Sequence, residues 1–290
     1  SYPATHVGTG PDALTSVAGG GHAFAAELSA AKHPMVIVGP AGYTRADGLA
    51  VLSVAARIAE AASVGKHMTG SAFNVLHAAA SRVAGLDLGF VPGPGGLDVN
   101  GMVQASTNGS LDVLFLLGAD ELAIDRLGRQ TFVVYQGSHG DAGANRADVI
   151  LPAAAYTEKA ATYVNTEGRA QMTARAAVPP GLAKDDWAII RALSAVCGHT
   201  LPYDDLRALR AAMYAYAPQM ARIGAVYEPA RPDLNRLAGL TASLGREPFI
   251  NPVRDFYLTN PIARASAVMA EMSALKHASA GLRRVAEAAE

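Results

Sequence analysis

The sequence predicts an α/β protein: a doubly wound, mostly parallel sheet followed by a mainly helical C-terminal segment. Three observations carry that prediction. Short continuous apolar runs recur within Pro34–Gly42 and at Val113–Leu117, Phe132–Tyr135 and Val149–Leu151, without the in/out alternation of a half-exposed strand. Helical or glycine-rich stretches separate these runs, the arrangement that gives parallel strands covered on both faces. After Pro179-Pro180-Gly181 the apolar spacing turns helical, which divides the chain into an α/β domain over 1–178 and a helical segment over 179–290.

Taken in order, Pro34–Gly42 (P-M-V-I-V-G-P-A-G) reads as a buried strand ending in glycines. Thr44 and Asp47 then match the [ST]-x-x-[DE] helix-start pattern, so the alanine-rich stretch from Arg45 to Ser63 is expected to be helical. A second helix is expected over Ala72–Val83, followed by a loop over Gly89–Gly96 whose prolines and glycines forbid regular structure. Asp185 is placed to cap a helix over Trp187–Val196, with Gly198 beyond its end, and another helix is expected from Asp204 to Tyr216. Residues 224 to 259 read as irregular. A closing helix begins with Asn260 as cap and Pro261 as first helical residue. Its stripe of Ile262, Ala265, Met269 and Met272 is expected to dock on the core.

Composition removes several classes of function. Half of the 290 residues are apolar, ample for a core, and 24 basic against 25 acidic side chains give no electrostatic case for nucleic acid or an anionic membrane surface. No segment offers the roughly 18 charge-free apolar residues of a membrane helix, so direct membrane insertion is not expected. Cys197 is the only cysteine. An iron–sulfur cluster needs four thiolates, or two with two histidines, so this chain cannot hold one alone. The eight histidines form no H-E-x-x-H or zinc-like Cys/His pattern, and no metal is expected.

The densest chemistry lies in Ala147–Gln171, A-D-V-I-L-P-A-A-A-Y-T-E-K-A-A-T-Y-V-N-T-E-G-R-A-Q, where an apolar strand stopped by Pro152 feeds a charged loop. Ligands of open α/β sheets bind at such strand ends. The A-D-V-I-L-P, T-E-K and N-T-E-G-R-A-Q wording resembles the molybdopterin oxidoreductase superfamily. With Y-Q-G-S-H-G-D-A-G before it and P-P-G-L-A-K-D-D-W-A-I-I-R-A-L-S after it, the stretch is similar, within that superfamily, to the C-terminal half of the large iron–sulfur subunits of respiratory complex I, the NADH:quinone oxidoreductases.

That resemblance implies a molybdopterin-oxidoreductase-like αβα domain with a structural and assembly role and no redox centre of its own. It implies iron–sulfur clusters in an N-terminal, cysteine-rich part; with Ser1 in place of an initiator methionine, the chain is expected to be a C-terminal piece. It further implies partners in the hydrophilic arm, including the NADH- and FMN-binding subunit. The setting would be peripheral, on the cytoplasmic face of a bacterial inner membrane or the matrix face of a mitochondrial one. The alternative is an active molybdopterin enzyme, with Asn165, Gly168, Arg169 and Gln171 near the pterin.

No catalytic residue is expected. Glu158, Glu167 and Arg169 are expected to form an internal ion-pair network, since a guanidinium pairs with carboxylates through two parallel bonds, and loss of Arg169 would then strand a buried carboxylate. His139 and Asp141 lie in a glycine-rich turn where Asp141 is expected to bond nearby backbone amides, and Ser138 lacks the strand-turn-helix setting of a nucleophile. Gly39-Pro40-Ala41-Gly42 has neither the G-x-G-x-x-G spacing nor a Walker lysine and is read as a tight turn onto a helix. Cys197 and the Trp187, Ile190, Leu193 stripe are expected in the core.

Overall fold

The structure is a computed structural model that describes residues 3–68, 71–226 and 233–287, with side chains through residue 278. The chain forms two compact units, each assembled from separate stretches: 1–83, 164–169 and 224–254 in the first, 84–163, 170–223 and 255–290 in the second. The change expected near residue 178 falls within a stretch of the second unit.

The first unit opens with α1 (Pro11–Ala18) and α2 (Ala23–Ala30), then β1 (Val36–Val38), a single turn α3 (Pro40–Tyr43), α4 (Gly48–Ser63) and β2 (Phe73–Val75). Strands β1 and β2 pair in parallel, with Val36 beside Phe73 and Val38 beside Val75. Helix α4 is its core. Val51, Val54, Ala55, Ile58, Ala59 and Ala62 are all buried, the three- and four-residue spacing of a helix with one apolar face. Buried Ser53 reaches the carbonyls of Ala238 and Leu240, both at 3.2 Å, which ties the later segment onto α4.

Two expectations fail here. Helix α4 starts at Gly48, not Arg45, because the Asp47 carboxylate turns away from the helix to bind the Arg45 guanidinium and the Gly245 N–H. No helix spans Ala72–Val83: Phe73–Val75 is a strand, and α5 (Arg82–Asp87) comes later. The short run F-N-V has little local preference to defend, and the free edge of β1 recruits it. The turn at Gly39–Gly42 does lead onto a helix, and a side chain on Gly42 would crowd Val38 Cγ1 at 2.9 Å.

The second unit contains α6 (Val99–Thr107), β3 (Val113–Leu117), β4 (Phe132–Gly137), α7 (Ala142–Arg146) and β5 (Val149–Pro152). The three strands form one parallel sheet in the order β3-β4-β5. Neighbours in space follow each other in sequence, so right-handed crossovers put both connections on one face. That face is the core, with Leu114, Leu116, Val133 and Tyr135 packed against Val103 of α6 and Leu127. Coverage of both faces, as the continuous runs suggest, is not what forms. Val113, Leu117, Phe132 and Val149, of the opposite parity, are 57%, 45%, 47% and 39% exposed.

Strand β6 (Thr162–Val164) and strand β7 (Ala170–Met172) form a hairpin, and α8 (Asp186–Val196) and α9 (Leu206–Tyr216) follow. Asp205 caps α9 through the Ala208 N–H at 2.7 Å, while Asp185 accepts from the Trp187 indole at 3.3 Å and caps nothing. No residue of α8 is fully buried, Leu193 is 38% exposed, and Cys197 at its end is exposed. The expectation of a core thiol fails because α8 offers only a half-covered face. The irregular stretch contains α10 (Asn235–Ala238); residues 227–232 lie outside the described ones.

The closing helix is two helices. Asn260 accepts the Ala263 N–H at 2.9 Å and Pro261 opens α11 (Pro261–Arg264), as the cap signature predicts. The chain then breaks, and α12 (Ala267–Glu287) restarts from Ser266, whose Oγ accepts the Met269 N–H. That break dissolves the expected stripe: Ile262 and Met269 are half-buried, while Ala265 and Met272 are exposed. Buried Ser273 anchors α12 instead, by donating to the Asp255 carboxylate.

Candidate functional site

The N-T-E-G-R segment is the tip of the β6–β7 hairpin. Its residues serve the turn. Gly168 donates its N–H to the Asn165 carbonyl at 3.0 Å and sits at φ +78°, the conformation that closes a three-residue hairpin loop on a left-handed residue. The Asn165 side-chain oxygen accepts the N–H of both Glu167 and Arg169, each at 3.0 Å. Arg169 places Nε and Nη2 at 3.4 and 3.2 Å from the Glu167 carboxylate and donates Nη1 to the Gly224 carbonyl at 2.9 Å. Asn165 and Arg169 together hold the Glu167 carboxyl below its usual range. Gln171 is exposed on β7.

The expected three-member network is therefore a pair. Glu158 belongs to the second unit, where its carboxylate accepts the Ala155 N–H at 2.9 Å. The Glu167 side chain is 60% exposed and that of Arg169 34% exposed, so no buried carboxylate would be stranded. Water can replace the lost partner. Arg169→Ala is expected to leave the urea midpoint essentially unchanged. Gly168→Ala, by contrast, should cost about 1–2 kcal/mol, because an L side chain resists positive φ. Urea titration of the two variants side by side checks both.

The second unit presents a different cluster, at the C-terminal ends of β3 and β4. Asp120 follows β3 and is 8% exposed. It accepts the Tyr135 hydroxyl at 3.0 Å through one oxygen and the Gly143 N–H at 3.0 Å through the other. Burial, and then the Asp120 carboxylate as acceptor, push the Tyr135 hydroxyl far above its usual range. It stays a neutral donor. Asp141 caps α7 through the Ala142 N–H at 2.8 Å and pairs with Arg264 of α11, which also lies 3.9 Å from Glu121. Burial works to raise the Asp141 pKa, but the Arg264 hydrogen bond and the Ala142 N–H outweigh it and hold the carboxyl below its usual range.

The expected turn role of Asp141 is what the geometry displays; His139 only faces Ser138, Nδ1 to Oγ at 2.9 Å. Beyond β4, Lys159 pairs with Asp186, whose other oxygen accepts from the Gln136 amide at 3.0 Å. Strand-end carboxylates are thus matched by Arg264 and Lys159. Two buried atoms at this edge, Arg264 Nη2 and Gln136 Oε1, have no hydrogen-bond partner. Sequence reasoning missed Asp120 and Arg264 as members. Arg264 and Asp141 stand 123 positions apart, and the only local signal was a carboxylate two residues after the glycine that ends β3.

These residues are a poor match for a pterin cofactor. Arg169, the strongest candidate to meet a phosphate, has its guanidinium committed to Glu167 and Gly224, and the Asn165 oxygen is spent on backbone amides. Among the described residues no three His, Cys, Asp or Glu side chains gather in a metal-binding arrangement.

Known proteins place this architecture in context. The chain is 40% identical to the mitochondrial NADH dehydrogenase (ubiquinone) iron-sulfur protein 1 of Solanum tuberosum, over 95% of this chain and 36% of that protein. It is 39% identical to the mitochondrial NADH-ubiquinone oxidoreductase 78 kDa subunit of Candida albicans, over 93% of this chain and 37% of that one. It is 38% identical to the NADH-ubiquinone oxidoreductase 75 kDa subunit of Reclinomonas americana, over 95% and 39%. The chain thus spans little more than a third of the length of these relatives. Acetylene hydratase from Pelobacter acetylenicus superposes with a TM-score of 0.34 at 19% identity, over 57% of this chain and 23% of that one, too low to argue from. Residues 228–272 match the family model of a C-terminal domain of NADH-ubiquinone oxidoreductase. Residues 1–196 match the model of the molybdopterin oxidoreductases, and the chain belongs to that family.

Proposed function

We propose that this chain is a structural and assembly region of the large iron–sulfur subunit of an NADH:quinone oxidoreductase, and that it carries no redox centre itself. The observation that supports a structural role best is the self-pairing of its strand-end and hairpin side chains. Arg264 answers Asp141, Lys159 answers Asp186, and Arg169 answers Glu167. Identity of 38–40% with subunits named for NADH–ubiquinone oxidoreduction supports the assembly. In that assembly electrons pass from NADH through iron–sulfur clusters to quinone, coupled to proton translocation. One cysteine cannot ligate a cluster, so the clusters would belong to other parts of the subunit.

Neighbouring subunits of the hydrophilic arm, including the one that binds NADH and FMN, are the proposed partners. A peripheral position at the cytoplasmic or matrix face of an energy-transducing membrane agrees with the described residues, which contain no helix long and apolar enough to cross a membrane. The competing assignment is a pterin site beside Asn165, Gly168, Arg169 and Gln171, which the committed donors of that hairpin disfavour. Two measurements test the proposal. Disrupting the gene should abolish NADH:quinone reductase activity of the membranes; unchanged activity would remove the chain from that assembly. Elemental analysis of the intact protein should find no stoichiometric molybdenum or tungsten, and either metal near one per chain would establish the competing assignment.

A further inference from the structure

We propose that the first unit carries a binding pocket for one uncharged hydrocarbon chain, such as an alkyl or acyl tail. A cavity of about 270 Å³ lies among α1, α2, β1, α4 and the segment around Phe249, walled chiefly by Leu14, Val17, Phe24, Leu28, Ile58 and Phe249. Every side chain lining it is apolar. A charged or hydrogen-bonding group inside would lose its water without gaining a partner, which is costly. The same reasoning disfavours a peptide segment as the occupant, because its backbone N–H and C=O groups would go unsatisfied.

The pocket has a braced wall. The Phe249 N–H donates to the Thr9 carbonyl at 2.8 Å, and its ring lies under the Arg45 guanidinium, 5.0 Å from the ring centre. Arg45 is itself tied to Asp47 and, at 2.9 Å, to the Glu247 carbonyl. On the opposite side Ile58 comes from the buried face of α4. With both sides held, the space cannot close by a simple inward shift of Phe249. Dry apolar cavities of about 150 Å³ take up benzene, so a space of this size admits a larger hydrocarbon.

Titration of the full chain with N-phenyl-1-naphthylamine, a neutral fluorophore, tests the proposal. Saturable binding of one probe per chain is expected, with displacement by 1-decanol and a rise in melting temperature that saturates with probe concentration. Ala13→Leu and Val17→Phe, which fill the space, should each weaken binding by about tenfold or more while the melting temperature holds or rises. Wild-type affinity in folded, filled variants would put the probe elsewhere and overturn the proposal. If both variants fail to fold, the wild-type melting shift decides, and its absence also overturns it. The intact assembled protein should bind the probe as the isolated chain does; binding lost on assembly would mean that a neighbouring polypeptide fills the space instead.

Discussion

Tyr135→Ala is expected to destabilise the second unit by about 3–5 kcal/mol, the loss usual for a large core aromatic cut back to alanine. Tyr135 is 1% exposed at the centre of β4 and packs within the main apolar cluster of the sheet. The truncation empties that position and also leaves the Asp120 carboxylate, 8% exposed, without its hydroxyl donor. Tyr135→Phe separates the two contributions, because it keeps the ring and removes only the hydrogen bond. About 1–3 kcal/mol should be lost there, the range for a buried acceptor left short of a donor. Equilibrium urea unfolding followed by circular dichroism reads both. A Phe variant as damaging as the Ala variant would mean that the hydrogen bond, rather than packing, holds this edge.

Arg264→Ala is the second substitution with a large expected effect. The pair with Asp141 is partly buried, with side chains 25% and 23% exposed. Stranding the carboxylate should cost about 1–3 kcal/mol near neutral pH, below the roughly 3–5 kcal/mol of a fully buried pair because some water reaches it. The sign of the pH dependence follows from the lowered Asp141 pKa. A carboxyl depressed on folding contributes stability that is fully present above the unfolded value of about 3.9 and is lost as pH falls through the folded value. Wild type and variant should therefore differ fully above about pH 5 and converge in acid. Thermal melts from pH 7 down to pH 3 measure this, and a difference that stays constant would dissociate Arg264 from Asp141.

Local signals read well wherever the backbone's own preferences decided the outcome. The runs at 113–117, 132–135 and 149–151 are strands β3, β4 and β5, and Asn260-Pro261 opens a helix. Gly168 marks a positive φ that few other residues would accept. Signals failed where a distant partner could overrule them. Phe73–Val75 became a strand because β1 offered an unpaired edge, and Asp47 gave up its capping role to bind Arg45 and Gly245. The stripe from Ile262 to Met272 assumed one continuous helix, and a break near Ser266 turned its halves apart.

The candidate sites divide along the same line. Asn165, Glu167, Gly168 and Arg169 are close in sequence, and their hairpin joins them locally, so the pairing of Arg169 with Glu167 was open to sequence reading. Its exposure was not. The Asp120, Tyr135, Asp141 and Arg264 cluster draws on two strand ends and a helix from far along the chain, and no spacing rule links them.

By itself the sequence determined the α/β class, the parallel strands, the family likeness and the inability of a single thiol to hold a cluster. All of these rest on composition or on neighbours a few residues apart, where sterics and hydrogen bonding act directly. Tertiary structure alone decided which face of the sheet is covered, which carboxylate each cation meets, and where an apolar cavity remains. Those outcomes depend on through-space distance, since burial and ion pairing respond to whatever lies within a few ångströms, whatever its position along the chain.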